Sequence, residues 1–346
     1  MSKNSPTDAH GCTQIKPAGS GAPAAVQGGA DQGALCARTT VTLKHPYASG
    51  CIRGSKSFSL SRLSAFLELT KLRISAASTF TGAAGYIAFR HGFDRGLLSS
   101  LAGTLLLAMA SSAFNEVQEH DLDALMERTN NRPIPRGAVS PAGAGIFALL
   151  LAVTGFTLLL WLHGWTPALL GLLAMIWYNG FYTPLKRVSA FAVVPGSLIG
   201  ALPPAIGWAA AGGRLADPTL LALACILFLW QVPHFWLLSL MHRDGYDQAG
   251  FPTLSKHFRE SQILRLIFTW TCAAIAACAL LPAFHTVSGR PALALLGLGC
   301  LWLLGRSTGL LRETLPPARI RKAFMDINVF ALVVMAAVIL DAVSVR

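Results

Sequence analysis

Leu97-LSSLAGTLLLAMASSAF-Asn115-EVQ-Glu119-HDL-Asp123 is an apolar run that passes without a break into acid. Crossing a bilayer takes roughly 20 residues of apolar helix, and the run supplies them. The acids begin where it ends. Glu116, Glu119, Asp121, Asp123 and Glu127 crowd into one short reach, and charged groups that close to hydrocarbon are expensive and usually functional. Asn115, Glu119 and Asp123 are spaced i, i+4, i+8, so on a helix they drift by roughly 40° per step and share one face. Asp121 lies roughly 240° around from Asn115 and leaves that face. An acceptor-rich stripe followed by Arg128 and Arg132 suits a magnesium ion carrying a phosphate-bearing ligand. The plain alternative is a solvated interhelical loop, the usual fate of a charge run.

The rest of the chain repeats the apolar theme. Of 346 residues, 53% are hydrophobic and 13% charged, which excludes an ordinary soluble protein. Long apolar runs fall at 72–90, 97–115, 143–162, 166–182, 190–211, 220–240, 263–283, 291–311 and 323–344, so the expected fold is an all-α integral membrane domain of about nine spans over residues 61–346. Runs such as 220–240 do not alternate polar with apolar, against barrel strands. Residues 61–73 read as an interfacial helix feeding the first span. Residues 1–60, rich in Gly, Ala, Ser, Thr and Pro, read as a disordered tail without a secretory signal. Asp8, Asp31 and the lack of an arginine-rich amphipathic helix count against a mitochondrial transit peptide.

The net charge of +12 does not point to nucleic acid, because the basic residues are scattered between spans. Placing the tail in the cytoplasm puts Arg128, Arg132, Arg136, Lys186, Arg187, Arg243, Lys256, Arg259, Arg312, Arg319, Arg321 and Lys322 on one side, and leaves the opposite loops Arg95, Arg214 and Arg290. This positive-inside pattern predicts a multi-pass protein of the cell inner membrane, ahead of the mitochondrial inner membrane, with its acidic loops on the cytoplasmic side. Cysteines 12, 36, 51, 225, 272, 278 and 300 form no CxxC pair, so neither a disulfide framework nor a cysteine metal site is expected.

A second acidic cluster, Arg243-Asp244-Gly-Tyr246-Asp247, lies in the loop 241–262, and Asp244 and Asp247 sit at i, i+3. Alone it would read as a turn. Paired with the first cluster on the same membrane side, it reads as the second half of a metal–diphosphate site. Between them Lys186 ends a span, where a lysine can snorkel or hold a phosphate, with Tyr182 one turn back as a donor. His234 lies within the span 220–240 beside Pro233. It has two readings, a haem-iron ligand or a histidine hydrogen-bonded between helices at a proline break. His120 reads as a solvated loop residue, and Trp230, Trp236, Tyr178 and Phe181 as interface packing or cavity lining.

Asn115-x3-Glu119-x3-Asp123, Met126-x-Arg128-Thr129-x2-Arg132-Pro133 and Tyr182-x3-Lys186 together resemble the UbiA-type intramembrane prenyltransferases. Trp230-Gln231-Val-Pro233-His234-Phe235-Trp236 and Arg243-Asp244-x-Tyr246-x2-Ala-Gly250-x-Pro252 are similar to the branch of that family that farnesylates haem. The resemblance covers about residues 62–344. It implies a ring of nine helices around a central cavity, and a reaction in which farnesyl diphosphate, haem B and water give haem O and diphosphate with Mg2+. It also implies Asn115, Glu119, Asp123, Asp244 and Asp247 as metal-binding positions, the first four catalytic, and Arg128, Arg132, Lys186 and Tyr182 on the diphosphate. Partners implied are the lipid bilayer and a haem A synthase or terminal oxidase, and no nucleic acid. Glu119 departs from the family's usual Asp by one methylene, and Gly245 stands where a polar residue is frequent. Two other functions fit membrane-facing acids: prenylation of a quinone-type ring, and ion-coupled transport. Transporters place their charges near the bilayer midplane, whereas here the acids gather at one face.

Overall fold

In the computed structural model, residues 60–344 are described, and the expected tail falls outside them except for Leu60. The described residues form helices joined by turns. A short α1 (Leu60–Leu69) precedes α2 (Leu72–Arg90), followed by the long α3 (Arg95–Asp123) and α4 (Pro141–His163). Helix α5 (Trp165–Ile176) runs through a π-helical turn, Trp177–Tyr182, into α6 (Thr183–Leu185). A 3₁₀ turn, Ala190–Ala192, leads through α7 (Val193–Gly196) to α8 (Leu198–Ala210). Then come α9 (Pro218–Met241), the loop helix α10 (Arg243–Gln248), α11 (Glu260–Ala277) and α12 (Leu280–Ala283). Helix α13 (Arg290–Ser307), prolonged by a 3₁₀ turn Thr308–Leu311, and α14 (Pro317–Ser344) close the described chain.

Eight of these segments are long and apolar enough to cross a membrane, and α2, 19 residues long, stands where the ninth span was expected. Ser75, Thr79, Gly82 and Gly85 dilute the apolarity of α2, and all four are buried. Its hydroxyls are satisfied within the chain: Ser75 Oγ donates to the Thr70 carbonyl and Thr79 Oγ1 to that of Ser75, both at 2.8 Å. Its glycines let two backbones touch. A Cβ on Gly85 would strike the Pro204 carbonyl of α8, and one on Gly207 the Gly82 carbonyl of α2. Membrane helices pack this way because lipid tails are as apolar as leucine, so close van der Waals fit replaces hydrophobic exclusion.

Neighbour contacts run α2–α3–α4–α5–α8–α9–α11–α13–α14 and return from α14 to α2, which closes a ring of the nine long segments. Pairs α2–α8 and α9–α14 pack across it. Two features place the acids. Helix α3 does not stop at the edge of its apolar run but stays helical to Asp123, so Asn115, Glu119 and Asp123 do share one face. The other feature corrects the expectation of a single helix over 61–73. Helix α1 ends at Leu69, and Lys71 takes a left-handed turn (φ 45°, ψ 49°) before α2. The break lets α1 bury Ala65 and Leu69 against Ala113 of α3 and against Ile134, Val139, Ala144 and Ala148.

Candidate active site

The α3 face is buried rather than solvated: Asn115, Glu116, Glu119 and Asp123 are 1–5% exposed. Asn115 Nδ2 donates to Glu119 Oε2 at 3.0 Å, one helical turn on. That oxygen also accepts from Lys186 Nζ at 2.7 Å. Asp123 Oδ2 accepts from Arg132 Nη1 at 2.5 Å, and Arg132 Nε lies 3.8 Å from Glu116 Oε1. Lys71 Nζ donates to Asn115 Oδ1 at 3.1 Å and stands 3.6 Å from Glu116 Oε1. Each buried carboxylate (Glu116, Glu119, Asp123) therefore meets a cation (Lys71, Lys186, Arg132). Burial, with Arg132 as the next cause, pulls the Lys71 ammonium down to about 8.

Buried ion pairs repay their desolvation poorly, so such a cluster is weak evidence for stability. Its unpaired lone pairs are more telling. Glu119 Oε1 and Glu116 Oε2 are buried and have no hydrogen-bond partner, an arrangement that costs about 1–3 kcal/mol per group. Oxygen donors left open beside further carboxyl and amide oxygens fit a hard divalent cation.

The π turn supplies the opposing wall. Such turns shift side-chain register inside a helix and are frequent at functional sites. After this one, Thr183 Oγ1 lies 3.3 Å from Asn115 Nδ2, and Lys186 follows within reach of Glu119. The Tyr182 ring is buried and stacks on Tyr178 and Phe235 at 5.7 and 5.6 Å, with Lys186 Nζ 5.5 Å from its centroid. Tyr182 thus touches the cation through its face, not through its hydroxyl.

The second cluster is only partly brought in. Asp244 and Arg128 are exposed and line a cavity of about 210 Å³ with Met126, His242 and Tyr246. Burial pushes the Tyr246 phenol up, against the opposing charge of Arg128. Asp247 is engaged elsewhere, accepting from Thr253 Oγ1 at 2.9 Å and lying 4.0 Å from Arg243. Among the described residues no three His, Cys, Asp or Glu side chains converge on one metal position, so the five expected metal-binding residues do not form a single closed cage. Asp121 is 89% exposed and pairs with His120 at 3.2 Å. Arg136 pairs with Glu68 at 2.8 Å.

His234 sits deeper, its ring 4.9 Å from those of Trp230 and Phe324 and 5.5 Å from that of Phe235. Asn328 of α14 lies beside its ring, and its buried Nδ1 has no hydrogen-bond partner. Trp230 packs in the core and donates to the Ile327 carbonyl at 2.7 Å, whereas Phe181 is 55% exposed.

Sequence reasoning missed Lys71, Thr183 and the structural part of Glu116. The i, i+4, i+8 rule leaves Glu116 off the stripe because it sits one residue after Asn115. Lys71 and Thr183 become visible only through a left-handed turn and a π turn, neither of which leaves a period in the sequence.

Residues 76–330 match the UbiA prenyltransferase family. A protoheme IX farnesyltransferase of Geobacter sulfurreducens is 42% identical over 226 residues, 65% of this chain and 83% of its own length. One from Oleidesulfovibrio alaskensis is 35% identical over 284 residues, covering 81% of this chain and 96% of the relative. Among solved structures, a UbiA homolog from Aeropyrum pernix superposes with a TM-score of 0.65 at 21% identity, covering 78% of this chain and 98% of that one. A UbiA homolog from Archaeoglobus fulgidus, bound to GPP and Mg2+, gives 0.57 at 13% identity over 79% and 99%.

Proposed function

The chain belongs to the UbiA prenyltransferase family, and from that membership we propose that the buried α3 face ionises a prenyl diphosphate for transfer to haem. The protein is a multi-pass membrane prenyltransferase that moves the farnesyl group of farnesyl diphosphate to a vinyl group of haem B. With water the product is haem O, and diphosphate is released. The observation that carries the site assignment is the row of buried carboxylates, each held against a cation, with open lone pairs on Glu119 and Glu116.

Asn115, Glu119 and Asp123, with Asp244 from the second loop, would hold magnesium. When bound, Mg2+ would supply positive charge to the phosphate oxygens as diphosphate leaves. Lys186 and Arg132 place two preorganised cations at the same oxygens, where charge grows in the transition state. Arg128, in the adjoining cavity, extends that positive edge. The Tyr182, Tyr178 and Phe235 rings face the place where the allylic cation forms, and ring faces stabilise such a cation without trapping it. The haem vinyl then bonds to C1 of the farnesyl chain, and water closes the cation to the hydroxyethyl product. His234, with its free Nδ1, is the residue we assign to the haem side. The inner membrane, with the site on the cytoplasmic side, is the setting the charge pattern supports.

The direct test is purified protein with labelled farnesyl diphosphate, Mg2+ and either haem B or a quinone-type aromatic acceptor. Label should appear in haem O, and Asp123→Ala should reduce it at least hundredfold while the protein still inserts into membranes. Label in the aromatic acceptor alone, or near-parental haem O from the variant, would overturn this reading.

A further inference from the structure

Lys71 carries two costs that a surface lysine avoids. Its backbone occupies the left-handed region (φ 45°, ψ 49°), where a Cβ crowds the following carbonyl and glycine fits freely. Its side chain is only 17% exposed, although it lies where α1 joins the first span and a lysine could reach water. Strained backbone persists only where the surroundings impose it, and it clusters at functional sites. Here the surroundings impose an aim. Helix α1 is held by Ala65 and Leu69 in their apolar cluster and by the 2.8 Å pair between Glu68 and Arg136. The chain then turns at Thr70, whose hydroxyl donates to the Leu67 carbonyl at 2.6 Å. The result is an ammonium 3.1 Å from Asn115 Oδ1, on the residue whose amide also holds Glu119 and, through it, Lys186.

We propose that Lys71 is a further cation of the diphosphate subsite, beside Lys186, Arg132 and Arg128, delivered from the α1–α2 joint. This rests on reading the α3 face as a diphosphate site. A compact ammonium with three rotatable donors suits a phosphate oxygen. In this assignment α1 is a wall of the active site, and its docking sets how the leaving group is held. The competing role is that of a counter-ion to Glu116 that serves the fold alone.

The test compares the full-length protein with Lys71→Gly, Glu116→Gln, the double variant and Lys71→Arg. The Glu116→Gln background removes the carboxylate that Lys71→Gly would strand. Binding of inorganic diphosphate in the presence of Mg2+ is read by calorimetry, and melting temperature by intrinsic fluorescence. Lys71→Gly should weaken binding at least tenfold, both alone and in the Glu116→Gln background, and Lys71→Arg should recover most of it. The double variant should melt no lower than Glu116→Gln, because glycine relieves the turn. KM for farnesyl diphosphate should rise while that for haem stays level. Binding within twofold of the matched parent, or a double variant that melts lower, overturns the proposal. If the parent protein itself binds no diphosphate, the reading of the site fails; if the parent binds and the Lys71 variants bind equally, only this inference does.

Discussion

Glu119 is a buried carboxylate whose Oε2 is shared by Asn115 and Lys186 and whose Oε1 meets no partner. Taking Lys186 away strands that charge, and breaking a buried pair from one side costs about 3–5 kcal/mol. Lys186→Met should therefore lower the melting temperature clearly, and adding Glu119→Gln should restore much of the loss, a coupling that a double-mutant cycle reads directly. Both variants should lose farnesyl transfer. A Lys186→Met protein as stable as its parent would show that the pair contributes nothing to the fold. The stripe itself was legible, because i, i+4, i+8 spacing needs only a continuous helix. What each oxygen touches was not, since Lys71, Thr183 and Lys186 reach it from other helices.

Helix α3 positions the stripe, and its opposite end is anchored by Asp94, whose Oδ1 accepts from the Leu97 amide at 3.0 Å. The Tyr86 hydroxyl, bonded to Asp94 at 2.7 Å, is the first cause that holds this carboxyl below its ordinary 3.8, with the Leu97 amide and Arg90 adding to it. A folded-state pKa below the unfolded one means stability that is present above about pH 4 and lost as pH falls through the lower folded value. Asp94→Ala should cost about 1 kcal/mol at pH 7, and the gap to the parent should narrow as the buffer is made acidic; a gap that does not narrow in acid would refute the assignment. The crossing of α2 and α8 belongs to the same scale. Gly207→Val pushes a branched side chain into the Gly82 carbonyl, and overpacking of this kind costs about 1–3 kcal/mol or more. Folded yield in detergent should fall sharply, whereas the same change at Gly297, which meets nothing nearby, should leave it level. The dilution of apolarity in α2 was visible as serines, threonines and glycines, but not the partner that makes it useful.

Across the whole molecule, two connecting segments far apart in sequence, 124–140 and 242–259, meet around a cavity of about 210 Å³ lined by Arg128 and Asp244. The positive-inside pattern predicts that both face the cytoplasm. In a cysteine-free background, Gln248→Cys should react with a membrane-impermeant maleimide only after the membrane is opened, and Phe93→Cys from outside intact cells. The reverse labelling would turn the protein over and place the site on the other face.

Helical spans, their number, the one-sided charge and the face shared by Asn115, Glu119 and Asp123 all follow from local periodicity and composition, which a chain carries in its own sequence. The family was legible as a resemblance, carried by the motifs from Asn115 to Pro133, Tyr182 to Lys186 and Trp230 to Trp236. The pairing of the buried α3 acids with cations, the engagement of Asp247 by Thr253 and the inward aim of Lys71 came only with the tertiary structure. Those contacts join residues on different helices through a left-handed turn, a π turn and a glycine-tight crossing, and such joints are set by packing between helices rather than by the period within one.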